Sequence, residues 1–148
     1  MKKIFFTFLV GIMALCTACT HTDGDIGPWF GSWYLEEILV NGEKESSYQK
    51  DIMISFQGDM FKFGYIERAE IYGLWDYAGE ILTLDASYNA GNGTDVDYLF
   101  NPFPVAMHFP ADVDQVQITV TRIENSVMQW QYIDQNGRLL TYNFKKYP

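Results

Sequence analysis

The residues able to do chemistry are few. Of the two histidines, His21 precedes the patterned part of the chain and His108 lies between Met107 and Phe109, with no serine or cysteine nucleophile motif beside it. An acyl-transfer site needs a nucleophile and base within hydrogen-bond reach, so His108 reads as structural. Glu36 and Glu37 supply adjacent carboxylates, but neighbours in a strand point to opposite faces, so the two cannot share a substrate and at most one faces inward. Asp95, Asp97, Asp112 and Asp114 offer hard oxygen ligands, and Asn92-Gly93-Thr94-Asp95-Val96-Asp97 has the look of a Ca²⁺ loop. Its spacing and the absence of a closing bidentate Glu favour a solvated acidic loop instead. The sequence carries neither a glycine-rich phosphate loop nor a Cys/His metal cluster. The expectation is a protein that is not an enzyme, with no catalytic residue, no metal and no cofactor.

What remains is aromatic. Trp29, Trp33, Trp75 and Trp130 could stack on sugars or apolar ligands, and Phe, Tyr and Trp make up 17% of the chain. Trp33, Trp75 and Trp130 lie in alternating segments and are expected in a core; Trp29, between Pro28 and Phe30, is the one expected to be exposed.

The elements that must hold these side chains are strands. From Gly31 onward apolar residues recur with period two, β-branched and aromatic residues are enriched, and turn formers recur at intervals of roughly ten residues. The pattern predicts strands over 33–40, 50–57, 60–66, 69–78, 81–88, 115–124, 127–134 and 139–146. The separators include Asn41-Gly42 and Asn136-Gly137, whose tolerance of positive φ suits two-residue hairpins. Inward sets follow from alternation: Ile52/Ile54/Phe56, Phe61/Phe63/Tyr65, Ile71/Gly73/Trp75/Tyr77, Leu82/Leu84/Ala86, Val116/Ile118/Val120, Met128/Trp130/Tyr132 and Leu140/Tyr142/Phe144. Eight short strands joined by sequential hairpins predict an all-β, antiparallel, eight-stranded up-and-down barrel, with a β-sandwich as the alternative. The connection from Asn89 to Val113 exceeds the usual loop length. Its Tyr98, Leu99, Phe100, Phe103, Val105, Met107 and Phe109 must cover something, while Pro102, Pro104 and Pro110 prevent a helix. Two readings stand: a lid that closes on a ligand, or a plug, with Val105/Met107/Phe109 as an added edge strand.

The chain has 148 residues, 10 Lys+Arg against 19 Asp+Glu, a formal charge of −9 and pI near 4.5. This fits one domain and disfavours nucleic acid or an anionic lipid surface as the main partner. Lys2 and Lys3 precede the apolar run from Ile4 to Leu15, which is too short for a bilayer span and matches a secretion signal. Cys16-Thr17-Ala18-Cys19 follows it and resembles the lipobox of bacterial lipoproteins, with Cys19 the residue that would be acylated. Cleavage before Cys19 would leave one cysteine, hence no internal disulfide, and 8 basic against 19 acidic residues, a net −11. The organisation expected is a lipoprotein signal peptide over 1–18, a lipidated tether over 19–30 and a β-barrel domain over 31–148.

Gly31-Ser32-Trp33, opening the first strand of such a meander, resembles the lipocalin signature. With the lipobox-like start and the phrase Gly27-Pro28-Trp29-Phe30-Gly31-Ser32-Trp33-Tyr34-Leu35, the chain is similar to the lipocalin-like lipoproteins of Bacteroidota, a calycin-type barrel. The resemblance implies that Gly31 lets the chain close under the barrel, that Trp33 plugs its floor, and that an arginine from a late strand packs over that tryptophan. Arg122 is the nearest equivalent by position, with Arg138 second. It also implies a small apolar or amphipathic ligand held by Phe63, Tyr65, Trp75, Tyr77, Trp130, Tyr132 and Tyr142 in the lumen and by Phe100, Phe103 and Met107 in the lid. The expected setting is the cell envelope, on the outer membrane through N-terminal acyl chains only. The alternative function is an accessory protein with a filled barrel that meets a protein or glycan partner through its loops.

Overall fold

A computed structural model describes residues 27–65, 70–87 and 102–148, apart from the side chain of Tyr65. Cys19, Asp95, Asp97 and Phe100 lie outside the described residues, as do the expected strand ends at Ile66, Ala69 and Tyr88. The described strands are β1 (Gly31–Val40), β2 (Glu43–Lys44), β3 (Ile52–Gln57), β4 (Met60–Tyr65), β5 (Ile71–Ala78), β6 (Ile81–Asp85), β7 (Gln115–Ile123), β8 (Val127–Ile133) and β9 (Leu139–Lys146). They pair in the order β2-β1-β3-β4-β5-β6-β7-β8-β9, every pair antiparallel, and β9 also pairs with β1. That last pairing closes the meander into an eight-stranded barrel, to which the two-residue β2 is a short appendage. Closure removes the open edges that a sandwich would keep.

Local chemistry explains the joints. Asn41 and Gly42 both take positive φ, 51° and 85°, as the tight primed turn before β2 requires. The Asn41 carboxamide oxygen also accepts the Leu139 N–H at 2.9 Å, tying this hairpin to β9. Lys50 has φ 59°, a left-handed value that no strand accommodates, so β3 begins two residues later than the alternation suggests. In the β8–β9 turn only Gly137 has positive φ. There the buried Asp134 carboxylate organises the backbone, accepting the N–H groups of Asn136 and Arg138 at 2.9 Å and the Arg138 guanidinium at 2.7 Å.

Inside, the expected alternation holds. The side chains of Ile52/Ile54/Phe56, Phe61/Phe63, Leu82/Leu84/Ala86, Val116/Ile118/Val120, Met128/Trp130 and Leu140/Tyr142/Phe144 are buried. The register aligns them in rings around the lumen: Trp33 faces Ile54, Ile54 faces Phe63 and Phe63 faces Ile71, while Val120, Trp130, Tyr142 and Ile38 form another run across β7, β8, β9 and β1. Gly73 is required where it stands, because a Cβ there would lie 2.2 Å from the Asp85 carbonyl oxygen and 2.4 Å from the Phe61 ring.

Two β-bulges break the alternation. The first, between Leu35 and Glu37, lets Leu35 and Ile38 both point inward and puts Glu36 and Glu37 both outside. Glu36 there accepts Lys145 at 2.6 Å, and Glu37 accepts Asn143 at 3.0 Å. The opposite-faces reading of that pair is thus corrected. The second, between Val120 and Arg122, moves Ile123 to the inner side opposite Met128 and turns Arg122 outward opposite Gln129.

Candidate functional site

A barrel of this kind can hold a ligand in its lumen, at its mouths or on its wall. At the end where the chain enters, Gly27–Trp29 forms a 3-10 turn that tucks Trp29 under the strands. Trp29 is 5% exposed and packs ring to ring against Phe56, Trp75 and Tyr77 at 5.0–5.1 Å. The expectation of an exposed Trp29 is therefore wrong, and the folded unit begins before residue 31. Gly31 turns the chain into β1 at φ 104°, a value other residues rarely adopt. The Trp33 indole N–H donates to the Trp29 carbonyl at 3.0 Å.

The cation over that floor is a lysine. The Lys146 ammonium lies 4.8 Å from the Trp33 ring centroid and donates to the Pro28 carbonyl at 3.0 Å, and burial holds its pKa below the usual lysine range. Arg122 does not reach it. Strict alternation would aim Arg122 inward with Val120, but the bulge reverses its direction, and it forms a two-pronged exposed pair with Glu124 at 2.7 and 3.0 Å. Arg138 is engaged with Asp134.

At the opposite end, residues 102–110 of the long connection pack into the barrel mouth. Phe103 and Met107 are fully buried and Phe109 nearly so. Phe103 meets Phe63 and Phe109 at 6.3 and 5.5 Å, and Phe109 meets Tyr132 and Tyr142 at 5.1 and 5.9 Å. Val105–Met107 is a 3-10 turn closed by His108 at φ 53°, so the added edge strand expected there is absent. The Tyr142 hydroxyl donates to the Met107 carbonyl at 2.5 Å, and burial pushes its phenol well above its ordinary pKa. His108 Nε2 sits 2.9 Å from Glu45, fastening the segment to the chain after β2.

Between these stoppers the expected ligand residues pack on one another. Trp130 touches Phe56 and Phe144, at 6.4 and 4.4 Å, and its indole N–H, buried, has no hydrogen-bond partner. Trp75 donates to the Gly58 carbonyl at 2.9 Å. Phe63, Trp75, Tyr77, Trp130, Tyr132, Tyr142, Phe103 and Met107 are therefore brought into one aromatic core, with Trp75, Tyr77 and Tyr132 partly exposed at its ends. Among the described residues no group of three or more His, Cys, Asp or Glu is gathered as a metal would need.

The wall carries a depression that the sequence reading missed. A groove of about 530 Å³ runs across the outer face of β1, β3, β4 and β5, lined by Phe30, Ser32, Ser55, Gln57, Asp59, Met60, Lys62 and Tyr72 among others. A second, of about 300 Å³, lies beside the stoppered mouth between Val105, His108, Asp134 and Arg138. The first is a product of register: Ser32, Ser55, Lys62 and Tyr72 stand side by side on successive strands.

No protein-family model matches the chain and no curated protein sequence matches it. Among solved structures, the fold is similar to that of a lipocalin-like protein from Bacteroides uniformis ATCC 8492, 17% identical, with TM-score 0.61 over 82% of this chain and 100% of that one. It is similar also to an uncharacterized protein from Bacteroides eggerthii DSM 20697, 18% identical, with TM-score 0.58 over 80% and 99% of the two chains. The closed meander and these likenesses together make the fold lipocalin-like.

Proposed function

We propose that this lipocalin-like barrel is a non-catalytic binding protein of the cell envelope, tethered through an acylated Cys19, that meets its partner with its outer wall and loops while the lumen serves as its core. The observation that carries this reading is the filling of the lumen: Trp29 closes one end, Phe103, Met107 and Phe109 close the other, and Trp33, Phe63, Trp130 and Tyr142 between them are fully buried against protein. A ligand taking the place of these residues would have to displace side chains whose packing contributes to the fold. Anchoring rests on the lipobox-like Cys19 and the apolar run before it.

A second reading is favoured by the stopper's few polar fastenings, Tyr142 to Met107 and His108 to Glu45, and by the unpartnered N–H of Trp130 below it. Residues 102–110 would swing out to admit a small apolar ligand, with that N–H left to bind it. Native mass spectrometry of the folded domain purified from an envelope extract, before and after organic extraction, separates the two. A single apo mass is expected; a discrete apolar molecule removed by organic extraction would transfer the function to the lumen.

A further inference from the structure

The wall groove has the form and chemistry of a ligand site. Its position follows from the pairing: one row of outward side chains is Ser32, Ser55, Lys62 and Tyr72, and the next row toward the chain entry is Gln57, Met60 and Leu74, flanked by Phe30. The two serines are small, so the floor sinks between Phe30 on one side and Met60, Lys62 and Tyr72 on the other. The volume, about 530 Å³, falls in the range of about 300–1,000 Å³ typical of small-molecule sites. Phe30, Met60 and Tyr72 are 38–41% exposed, an apolar cost to a monomer unless something covers them.

The polar groups narrow the ligand. The Ser32 and Ser55 hydroxyls bond to each other at 2.8 Å, which leaves the pair one free donor and spare lone pairs, a match for a ligand whose own hydroxyls donate and accept. Gln57 and Asp59 add an amide and a carboxylate at the rim. Among the described residues the one cation lining the groove, Lys62, is already engaged by Glu70 at 2.9 Å, and Tyr72 also bonds Glu70. An anion would thus meet Asp59 and a chain of net charge −9 without compensation. A peptide adding itself as a strand finds no place, because β3, β4 and β5 are hydrogen-bonded on both sides. Aromatic faces beside hydroxyl and carboxylate groups suit a ring that is apolar on its C–H faces and hydroxylated at its edge.

We propose that this groove binds a neutral saccharide, laid across the strands from Phe30 toward Tyr72 with its hydroxyls on the Ser32–Ser55 pair, Gln57 and Asp59. The proposal rests on the outer-wall reading of function and adds a ligand class to it.

The test uses the folded, ¹⁵N-labelled domain titrated with maltopentaose, cellopentaose and mannopentaose at millimolar concentration, and separately with 1-aminoanthracene as an apolar probe. Saturable shifts of the Ser32, Ser55, Gln57 and Lys62 amides with at least one pentasaccharide are expected. S55L, which fills the floor, and Y72A, which removes a wall, should each weaken that binding about tenfold or more, whereas I133S at the opposite end should leave it unchanged. Thermal melts establish that each variant folds; if one does not, the other decides. Absence of groove shifts with all three sugars, or equal binding by both folded variants, overturns the proposal and leaves the outer-wall reading in place. Binding of 1-aminoanthracene that shifts Met107, Phe109 and Tyr142 overturns the outer-wall reading itself, and the saccharide site with it if no sugar shifts the groove.

Discussion

At the scale of the residue, the barrel depends on a few side chains whose roles differ from those their sequence positions suggest. Lys146, at the end of β9, lies over Trp33 and caps the Pro28 carbonyl, whereas Arg122 is exposed and pairs with Glu124. Losing a cation–π contact and a charged hydrogen bond together should cost about 1–3 kcal/mol in K146M. R122A should stay within about 0.5 kcal/mol of the parent, as exposed pairs do. Urea unfolding of the two variants checks this, and the reverse order would return the floor cation to Arg122. Among the described glycines, Gly73 is where an added methyl is most severe, because in G73A both the Asp85 carbonyl and the Phe61 ring lie where the new carbon must go. A loss of about 3 kcal/mol or more is expected, read as a fall in the urea midpoint.

At the scale of the element, turns and bulges decide which way strands face. The β8–β9 turn is built on Asp134, where burial works to raise the carboxyl pKa but the hydrogen bonds from Arg138 and Asn136 outweigh it and hold it below its ordinary value. A carboxylate depressed in the folded state contributes stability that is fully present above its unfolded pKa, about 3.9, and is lost as pH falls through the lower folded value. D134N should therefore be less stable than the parent at pH 5–7, and the gap should narrow as pH drops below about 4. Equilibrium unfolding across that range measures it; a gap independent of pH would remove the charge from the account. The bulge in β7 matters in the same way: one extra residue at Thr121 sends Arg122 outward and brings Ile123 opposite Met128.

At the scale of the whole molecule, closure of β9 on β1 gathers the inward side chains of the described strands, Trp29 and residues 103–109 into one hydrophobic core. The lower stopper comes from residues that precede the first strand, so a chain starting at Gly31 should fold less stably than one starting at Gly27. It forfeits the Trp29 contacts with Phe56, Trp75 and Tyr77. Removal of a buried tryptophan costs about 3–5 kcal/mol, and thermal melts of the two chains would show it. Equal melting temperatures would mean that Trp29 is not part of the cooperative unit.

The sequence by itself determined the strands, their inner faces and the Asn41-Gly42 hairpin, because period-two burial and positive φ are local properties written in adjacent residues. Ile52/Ile54/Phe56 and Leu140/Tyr142/Phe144 could be assigned to the lumen without coordinates for that reason. Only the tertiary structure decided what the bulges did to Glu36, Glu37 and Arg122, since one inserted residue reverses every later side chain and leaves no mark in composition. It also decided the cation over Trp33, the burial of Trp29 and the groove around Ser32 and Ser55. Each joins residues from separate strands, and the register that brings them together is set by the closed barrel as a whole.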